Sequence, residues 1–275
     1  MRDILSAVTA LGGIGLAFGL VLAGASKLFA VKEDPGYEAV LRALPGTNCG
    51  GCGYAGCAAY AEAVSSGGAP VNLCPVGGDA CAGALADIMG AEHVKAARVT
   101  AMVMCSGGVR VKKKFDYAGI PDCVAAMDTG GGPPECKYGC LGLGTCVAAC
   151  DYGAVSVVEG VALVDHERCV GCLLCAKACP RHIIRPVTYY ADVNVCCSSK
   201  DKSAVLRKIC EIGCVGCRVC EKVCKHGAIR VEDNLAVIDH EKCTSCGDCA
   251  EKCPRRLIVD ANLDRGPRAE PAPSE

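Results

Sequence analysis

The sequence contains no tryptophan and only 3 phenylalanines, so aromatic residues make up 4% of its 275 positions. A chain long enough for about two domains, yet this poor in aromatic bulk, builds its cores around something other than large side chains. An excess of one charge is also missing, since 29 Lys and Arg face 30 Asp and Glu for a formal net charge of −1. That balance points to no nucleic-acid partner and to no strong steering of a charged one. Nucleotide loops are absent too. Gly142 and Gly144 form a partial Gly-x-Gly without the strand-to-helix context that phosphate binding requires. No nucleophile and base stand together in any known catalytic pattern, so the sequence shows no substrate-pocket motif.

What the chain has is cysteine, 26 in all. Cysteine at this density marks either a secreted disulfide scaffold or a set of metal sites. The spacing favours metal, because repeated C-x-x-C steps converge thiolates on one point. Cys243, Cys246, Cys249 and Cys253, followed by Pro254, reproduce the bacterial ferredoxin run C-x2-C-x2-C-x3-C-P. In that run three thiolates hold one [4Fe-4S] cube and the fourth ligates the neighbouring cube. Cys169, Cys172, Cys175 and Cys179 before Pro180 form a second copy. Electron transfer is therefore the first expectation.

Taken in order, the chain opens with an uncharged run of 23 residues, 4–26, from Ile4 to Ser26. As a helix this run would extend roughly 35 Å at about 1.5 Å per residue, enough to cross a bilayer. It exceeds the roughly 7–15 residues of a signal-peptide core, which favours a membrane anchor over a cleaved signal, although Ala23-Gly24-Ala25 resembles a cleavage site. Small residues such as Gly12, Gly15 and Gly19 suit close helix packing in lipid. Flanking charges barely distinguish the two sides, with Arg2 before the run and Lys27 and Lys32 after it. Thiolate-bound iron belongs with a reducing compartment. The expected location is thus the cell (inner) membrane, single-pass, with the cluster domains on the cytoplasmic side.

Cys49, Cys52, Cys57 and Cys74 follow as C-x2-C-x4-C-x16-C, set in glycine-rich turns. They read as an independent [4Fe-4S] module, with tetrahedral zinc as the rival for four thiolates. A short helix is expected over 58–64, an alanine-rich helix over 84–99 and a strand over 98–109. Arg110, Lys112, Lys113 and Lys114 form a basic cluster, read as a solvated face or as a dock for an acidic carrier. Gly and Pro over 128–134 mark a boundary.

From Cys123 onward the sequence repeats at an offset of 74 residues, so that Cys123, Cys136 and Cys140 align with Cys197, Cys210 and Cys214. Each copy has a cysteine run, a hairpin and a second run; the hairpins are expected at 154–164 and 228–238, the second turning on Asp233-Asn234. The ferredoxin crossing rule assigns Cys214, Cys217, Cys220 and Cys253 to one cube and Cys224, Cys243, Cys246 and Cys249 to another. In the first copy Cys150, Cys169, Cys172 and Cys175 are complete. The remaining site has Cys140, Cys146 and Cys179, but Leu143 stands where the second copy has Cys217. Cys136 is the nearest replacement in sequence and Cys123 the runner-up; without either, the site would hold a three-iron or otherwise altered cluster. This gives about five [4Fe-4S] clusters. Cys81, Cys105, Cys123, Cys196, Cys197 and Cys210 are left as buried thiols or as ligands of one more. His166 and His240, in equivalent Asp-His-Glu turns, read as turn residues because four thiolates already complete the adjacent sites.

The expected fold class is α+β: a single N-terminal transmembrane helix, a small Cys-rich [4Fe-4S] module, then two tandem two-cluster ferredoxin-like domains. The expected divisions are an anchor at 1–30, the module at 31–81, a connecting segment at 82–134, ferredoxin-like domains at 135–187 and 188–263, and a disordered tail at 264–275.

A membrane run, then Asn48-Cys49-Gly50-Gly51-Cys52-Gly53-Tyr54-Ala55-Gly56-Cys57, then doubled ferredoxin runs: in this order the chain resembles the B subunit of Rnf complexes, the ion-translocating ferredoxin:NAD oxidoreductases. The resemblance extends from residue 4 to about residue 258. It implies that reduced ferredoxin is the electron donor and that other Rnf-type membrane and flavoprotein subunits are partners. It also implies that the complex reduces NAD while exporting sodium ions or protons. The chain itself would be an electron relay within that enzyme. A free-standing polyferredoxin and a zinc-stabilised membrane scaffold are the competing expectations.

Overall fold

The computed structural model describes residues 2–28, 35–95, 98–189 and 193–260. Helix α1 runs Arg2–Leu28, matching the uncharged run. Its side-chain surroundings are described only for 12–25, and among the described residues no helix is long and apolar enough to cross a membrane. The expected span of 4–26 therefore lies partly outside them. Within that stretch Leu16, Phe18, Val21 and Leu22 are each at least 66% exposed, so no other described part of the chain covers them. The expected tail at 264–275 and most of the linker after α1 also lie outside the described residues.

Three short helices form the next unit: α2 (Pro35–Ala43), α3 (Cys57–Ser65) and α4 (Gly78–Met89). Their apolar positions meet in a core of Val40, Leu44, Tyr60, Ala61, Val64, Leu85 and Ala86, with Cys74 and Cys81 in the same core. Tyr60 is the one large aromatic at its centre, 1% exposed. Its hydroxyl donates to Pro70 O at 2.8 Å and accepts from Leu73 N–H at 3.2 Å, which pins the loop leading to Cys74. Burial pushes the Tyr60 hydroxyl up to about 12, with the Leu73 N–H opposing this and the nearby thiols of Cys74, Cys81 and Cys52 reinforcing it. Helix α4 departs from the expected 84–99. It begins earlier and stops at Gly90, which takes the left-handed conformation at φ 63° while Ala91 N–H returns to Ala86 O at 2.9 Å. Glycine at that position ends the helix.

The rest is doubled. Strand β1 (Val99–Val103) and helix α5 (Cys123–Asp128) precede helix α6 (Thr145–Ala148), the hairpin β2 (Val155–Val158) and β3 (Val161–Val164), helix α7 (Leu174–Ala178) and strand β4 (Ile184–Thr188). The second half repeats this with β5 (Val193–Val195), α8 (Ser203–Ile209), α9 (Val219–Val223), β6 (Ile229–Glu232), β7 (Leu235–Ile238), α10 (Asp248–Glu251) and β8 (Ile258–Asp260). In each half the hairpin pairs with itself, and the first strand pairs antiparallel with the last, β1 with β4 and β5 with β8. Both hairpins turn on two left-handed residues, Glu159-Gly160 and Asp233-Asn234, the geometry that suits the right-handed twist of paired strands. Val155 of β2 and Val161 and Ala162 of β3 enter the core, where they meet Ala101, Val103, Ile183 and Ile184.

These pairings tie distant parts of the chain together. The segment expected to connect, 82–134, supplies β1, so it is built into the first ferredoxin-like unit. The two units also share packing, because Val111 and Cys136 from the first lie in the core of the second beside Cys210 and Cys214. Only 99–103 of the expected 98–109 strand is extended, and the chain then turns through a 3-10 segment at Gly108–Arg110.

Close backbone approach fixes the join between β1 and the second cysteine run. Gly171 sits at φ +70°, and a Cβ there would lie 2.3 Å from Val99 O. Gly171→Ala combines a left-handed backbone with a clash against backbone, and is expected to destabilise the protein by about 2 kcal/mol. Thermal unfolding followed by circular dichroism measures this; an unchanged midpoint would mean that β1 moves aside freely.

Candidate iron-sulfur centres

All 26 cysteines are free of disulfides. In the N-terminal module Asn48 organises the loop: its Oδ1 accepts Cys57 N–H at 2.9 Å and its Nδ2 donates to Gly46 O at 3.2 Å. Gly51 N–H points at Cys49 Sγ and Gly77 N–H at Cys74 Sγ, both at 3.4 Å. Cys52 and Cys57 pack against the core that contains Cys74 and Cys81. The neighbouring Cys81 side chain pulls Cys74 down to about 6, while that interaction and burial push Cys81 up, and the Cys81 thiol lies 3.5 Å from Ala43 O, to which it donates. Cys49 lies at the edge that faces the first ferredoxin-like unit, where Lys177 Nζ donates to Cys49 O at 3.0 Å.

The structure brings Cys150, Cys169, Cys172 and Cys175 together. Burial pushes the Cys175 thiol up to about 11, reinforced by Cys169, Cys172 and Cys150. Ala154 N–H donates to Cys150 Sγ and Ala101 N–H to Cys169 Sγ, each at 3.4 Å. The equivalent group in the second unit, Cys224, Cys243, Cys246 and Cys249, lines a single cavity. Ala228 N–H donates to Cys224 Sγ at 3.3 Å, repeating the Ala154 contact. Burial and the thiols of Cys220, Cys243, Cys224 and Cys246 push Cys249 up to about 12.

Cys214, Cys217, Cys220 and Cys253 also converge, for Cys220 is pushed up to about 11 by burial and by those three neighbours. The inner group of the first unit differs from the expectation. Cys123, Cys140, Cys146 and Cys179 line one cavity with Thr145, Arg181 and Ile183, and Cys136 is not among its walls. Of the two candidate replacements, Cys123 and not Cys136 lines this cavity. The cause is a longer first-copy segment: Cys105 lies 35 residues before Cys140, whereas Cys197 lies 17 before Cys214. The extra length folds into α5, capped by Asp122, whose Oδ1 accepts the N–H groups of Val124 and Ala125. Thr145 Oγ1 accepts Cys123 N–H at 2.6 Å and donates to Asp122 at 2.7 Å, which locks Cys123 beside Cys146. Arg181 holds the far side through Met127 Sδ, Gly131 O and Cys136 O. Thr145→Val removes both hydrogen bonds of the lock, each worth about 1 kcal/mol, and is expected to make the cluster at this site the first lost on dilution or chelation. Iron release followed by EPR checks this; unchanged release would show that the lock is dispensable.

The same length difference corrects the internal alignment. Cys140 N–H donates to Cys105 Sγ and Cys214 N–H to Cys197 Sγ, both at 3.4 Å, so Cys105 and not Cys123 is the counterpart of Cys197. The turn reading of the histidine motifs matches what is seen: Asp165 Oδ1 accepts the N–H groups of Glu167 and Arg168, and Asp239 Oδ1 that of Glu241. His166 also meets Thr100 Oγ1 at 2.9 Å, tying the turn to β1. In the basic cluster Arg110 pairs with Glu159 at 3.4 Å and Lys113 is largely exposed.

Neighbouring groups stand within electrostatic reach of one another. Cys49 acts on Cys172, Cys175 on Cys146, and Cys220 on Cys249. Packing thiols this closely disfavours several bare thiolates, so each set is suited to a cationic core that all four share. Among the described residues no three His, Cys, Asp or Glu side chains converge tightly enough for a single metal ion. A cube spreads its four thiolates wider than one ion does.

Three family profiles match segments of the chain: "Putative Fe-S cluster" over 44–76, "4Fe-4S binding domain" over 162–185 and "4Fe-4S dicluster domain" over 213–257. The B subunit of the Na(+)-translocating ferredoxin:NAD(+) oxidoreductase complex of Acetobacterium woodii is 44% identical over 260 residues, covering 94% of this chain and 78% of the relative. This chain belongs to the family of Rnf B subunits. The B subunit of the ion-translocating oxidoreductase complex of Methanosarcina acetivorans is 43% identical over 93% of this chain and 97% of its own. The Clostridium ljungdahlii relative, named for proton translocation, is 44% identical over 94% of this chain and 93% of its own. As a family member the chain is an iron-sulfur electron-transfer subunit of an Rnf-type complex, and its partners include the other Rnf subunits. Relatives named for sodium ions and for protons are equally similar to it.

Proposed function

We propose that this Rnf B subunit carries electrons from reduced ferredoxin through five [4Fe-4S] clusters to the membrane and flavoprotein subunits of a complex that reduces NAD and exports sodium ions or protons. The ligand sets are Cys49, Cys52, Cys57 and Cys74; Cys150, Cys169, Cys172 and Cys175; Cys123, Cys140, Cys146 and Cys179; Cys214, Cys217, Cys220 and Cys253; and Cys224, Cys243, Cys246 and Cys249. The observation that carries the proposal is the succession of these thiol groups, the first three near one another in order and the last two near each other, in a chain whose sequence has no substrate-pocket motif. Bound clusters supply one-electron redox chemistry, with potentials set by charge, hydrogen bonds to sulfur and exposure. The protein's own part is to hold the thiolates, point backbone N–H groups at sulfur and exclude water.

Cys246 and Cys217 are the exposed cysteines. We assign the Cys246 end, farthest along the chain from α1, as the face that meets ferredoxin. The Cys49 end lies nearest in sequence to α1, which we assign as a single-pass anchor in the cell membrane with the cluster domains on the cytoplasmic side. Its exposed apolar side chains and uncharged length support that assignment.

The test mixes full-length, cluster-loaded protein with reduced ferredoxin under anaerobic conditions. Bleaching of the cluster absorbance is expected on mixing, and its absence would sink the donor assignment. Removing residues 1–30 is expected to move the protein from the membrane to the soluble fraction. Retention of the truncated protein in membranes stripped of the other Rnf subunits would contradict the anchor.

A further inference from the structure

Six cysteines stand outside the five sets, and four of them meet where the two ferredoxin-like units join. Cys105 follows β1 and Cys197 follows β5, each shortly after the strand that closes its unit. Cys136 and Cys210 are equivalent under the repeat and are brought together by one extended segment. Val111 and Lys113 form antiparallel bridges to Cys210 and Pro134. Glu135 N–H donates to Lys112 O at 2.8 Å on one side, and Lys112 N–H to Ile209 O at 2.9 Å on the other. Gly107 closes the space above them, since a Cβ on it would lie 3.6 Å from Cys105 Sγ and 3.9 Å from Cys210 Sγ.

The arrangement has pseudo-twofold symmetry. Cys105 Sγ accepts the N–H of Cys140 and Cys197 Sγ that of Cys214. The Cys136 carbonyl is held by Arg181 at 3.2 Å and the Cys210 carbonyl by Arg255 at 2.7 Å. Cys105 Sγ accepts a further N–H from Gly107 at 3.4 Å. Backbone donors and nearby guanidinium groups are what a cluster with four thiolate ligands needs when it leaves water.

We propose that Cys105, Cys136, Cys197 and Cys210 hold a sixth [4Fe-4S] cluster at the junction of the two ferredoxin-like units, placed to pass electrons between their inner clusters. The proposal rests on the redox reading above. Buried cysteine often acts only as a small apolar residue, but four thiols from four separate segments, paired by the repeat and gathered at one junction, exceed what packing requires. Burial raises Cys105, Cys136 and Cys197, and the thiols of this group act on one another, which fits neighbours that share a site. The location also fits a relay. The two inner groups, with Cys140 and Cys214, lie in different units, and the amides of those two ligands touch the sulfurs of this site.

The test compares iron, acid-labile sulfide and zinc in the anaerobically purified full chain with those of Cys136→Ala/Cys210→Ala, using Cys196→Ala as a control outside every set. The double variant is expected to lose about four irons and four sulfides, one cube, while the control loses none. Unchanged iron and sulfide would overturn the proposal, as would loss of zinc alone. If the double variant loses more than one cube, native mass spectrometry of the unmodified chain decides: six cubes support the proposal and five overturn it. The wild-type content separately tests the five-cluster reading, so the two can fail independently.

Discussion

Cys123→Ala is expected to convert or remove one cluster, the one also held by Cys140, Cys146 and Cys179, and to leave the other centres intact. Leu143 deprives this site of the thiolate that Cys217 provides in the second unit, and Cys123 is the cysteine that reaches the cavity in its place. EPR of the oxidised variant should show a three-iron signal or lack one cube, a loss of up to about four irons. The double variant Cys123→Ala/Leu143→Cys supplies a thiol at the position that the second unit uses and is expected to recover the cube. Cys136→Ala should spare it. If Cys123→Ala left the spectrum unchanged while Cys136→Ala removed this cluster, the replacement would have been misassigned.

The second large effect concerns crossing. Cys253 follows Cys243, Cys246 and Cys249 in sequence, yet it lies with Cys214 and Cys217 around Cys220. Cys253→Ala is therefore expected to damage the Cys214 cluster and leave the Cys243 cluster whole. Potentiometric EPR of this variant beside Cys243→Ala shows which of the two clusters each substitution removes. A Cys253→Ala variant lacking only the Cys243 cluster would refute the crossed arrangement. The crossing also has a structural consequence. Both clusters of a unit join its first and last cysteine runs, so loss of the single crossing ligand, Cys253 or Cys224 in the second unit and Cys179 or Cys150 in the first, should lower thermal stability. Bound metal contributes to folding free energy when its site exists only in the folded chain.

Much of this is legible in the sequence. Cysteine spacing locates four of the five proposed sets, and both hairpins follow from β-branched runs around two-residue turns. That Cys123 and not Cys136 lines the inner cavity of the first unit is not legible, because an ungapped repeat pairs Cys123 with Cys197 and hides the longer segment that frees it. The usable signal is the mismatch in spacing, 35 residues against 17, once Cys105 is taken as the partner of Cys197. Strand β1 is visible as alternation, but its pairing with β4 depends on contacts about 85 residues apart, which no local pattern encodes. The four-thiol junction shows the same limit. Each of its cysteines looks isolated along the chain, and only the bridges from Val111 and Lys113 bring two of them to one place.

The most direct test of the relay is an anaerobic count of iron and acid-labile sulfide per chain, taken with low-temperature EPR of the dithionite-reduced protein. The relay predicts at least about twenty irons and twenty sulfides, four of each per cube, with spectra of interacting reduced clusters. Iron far below that number, or zinc without acid-labile sulfide and without a reduced-cluster signal, would contradict it.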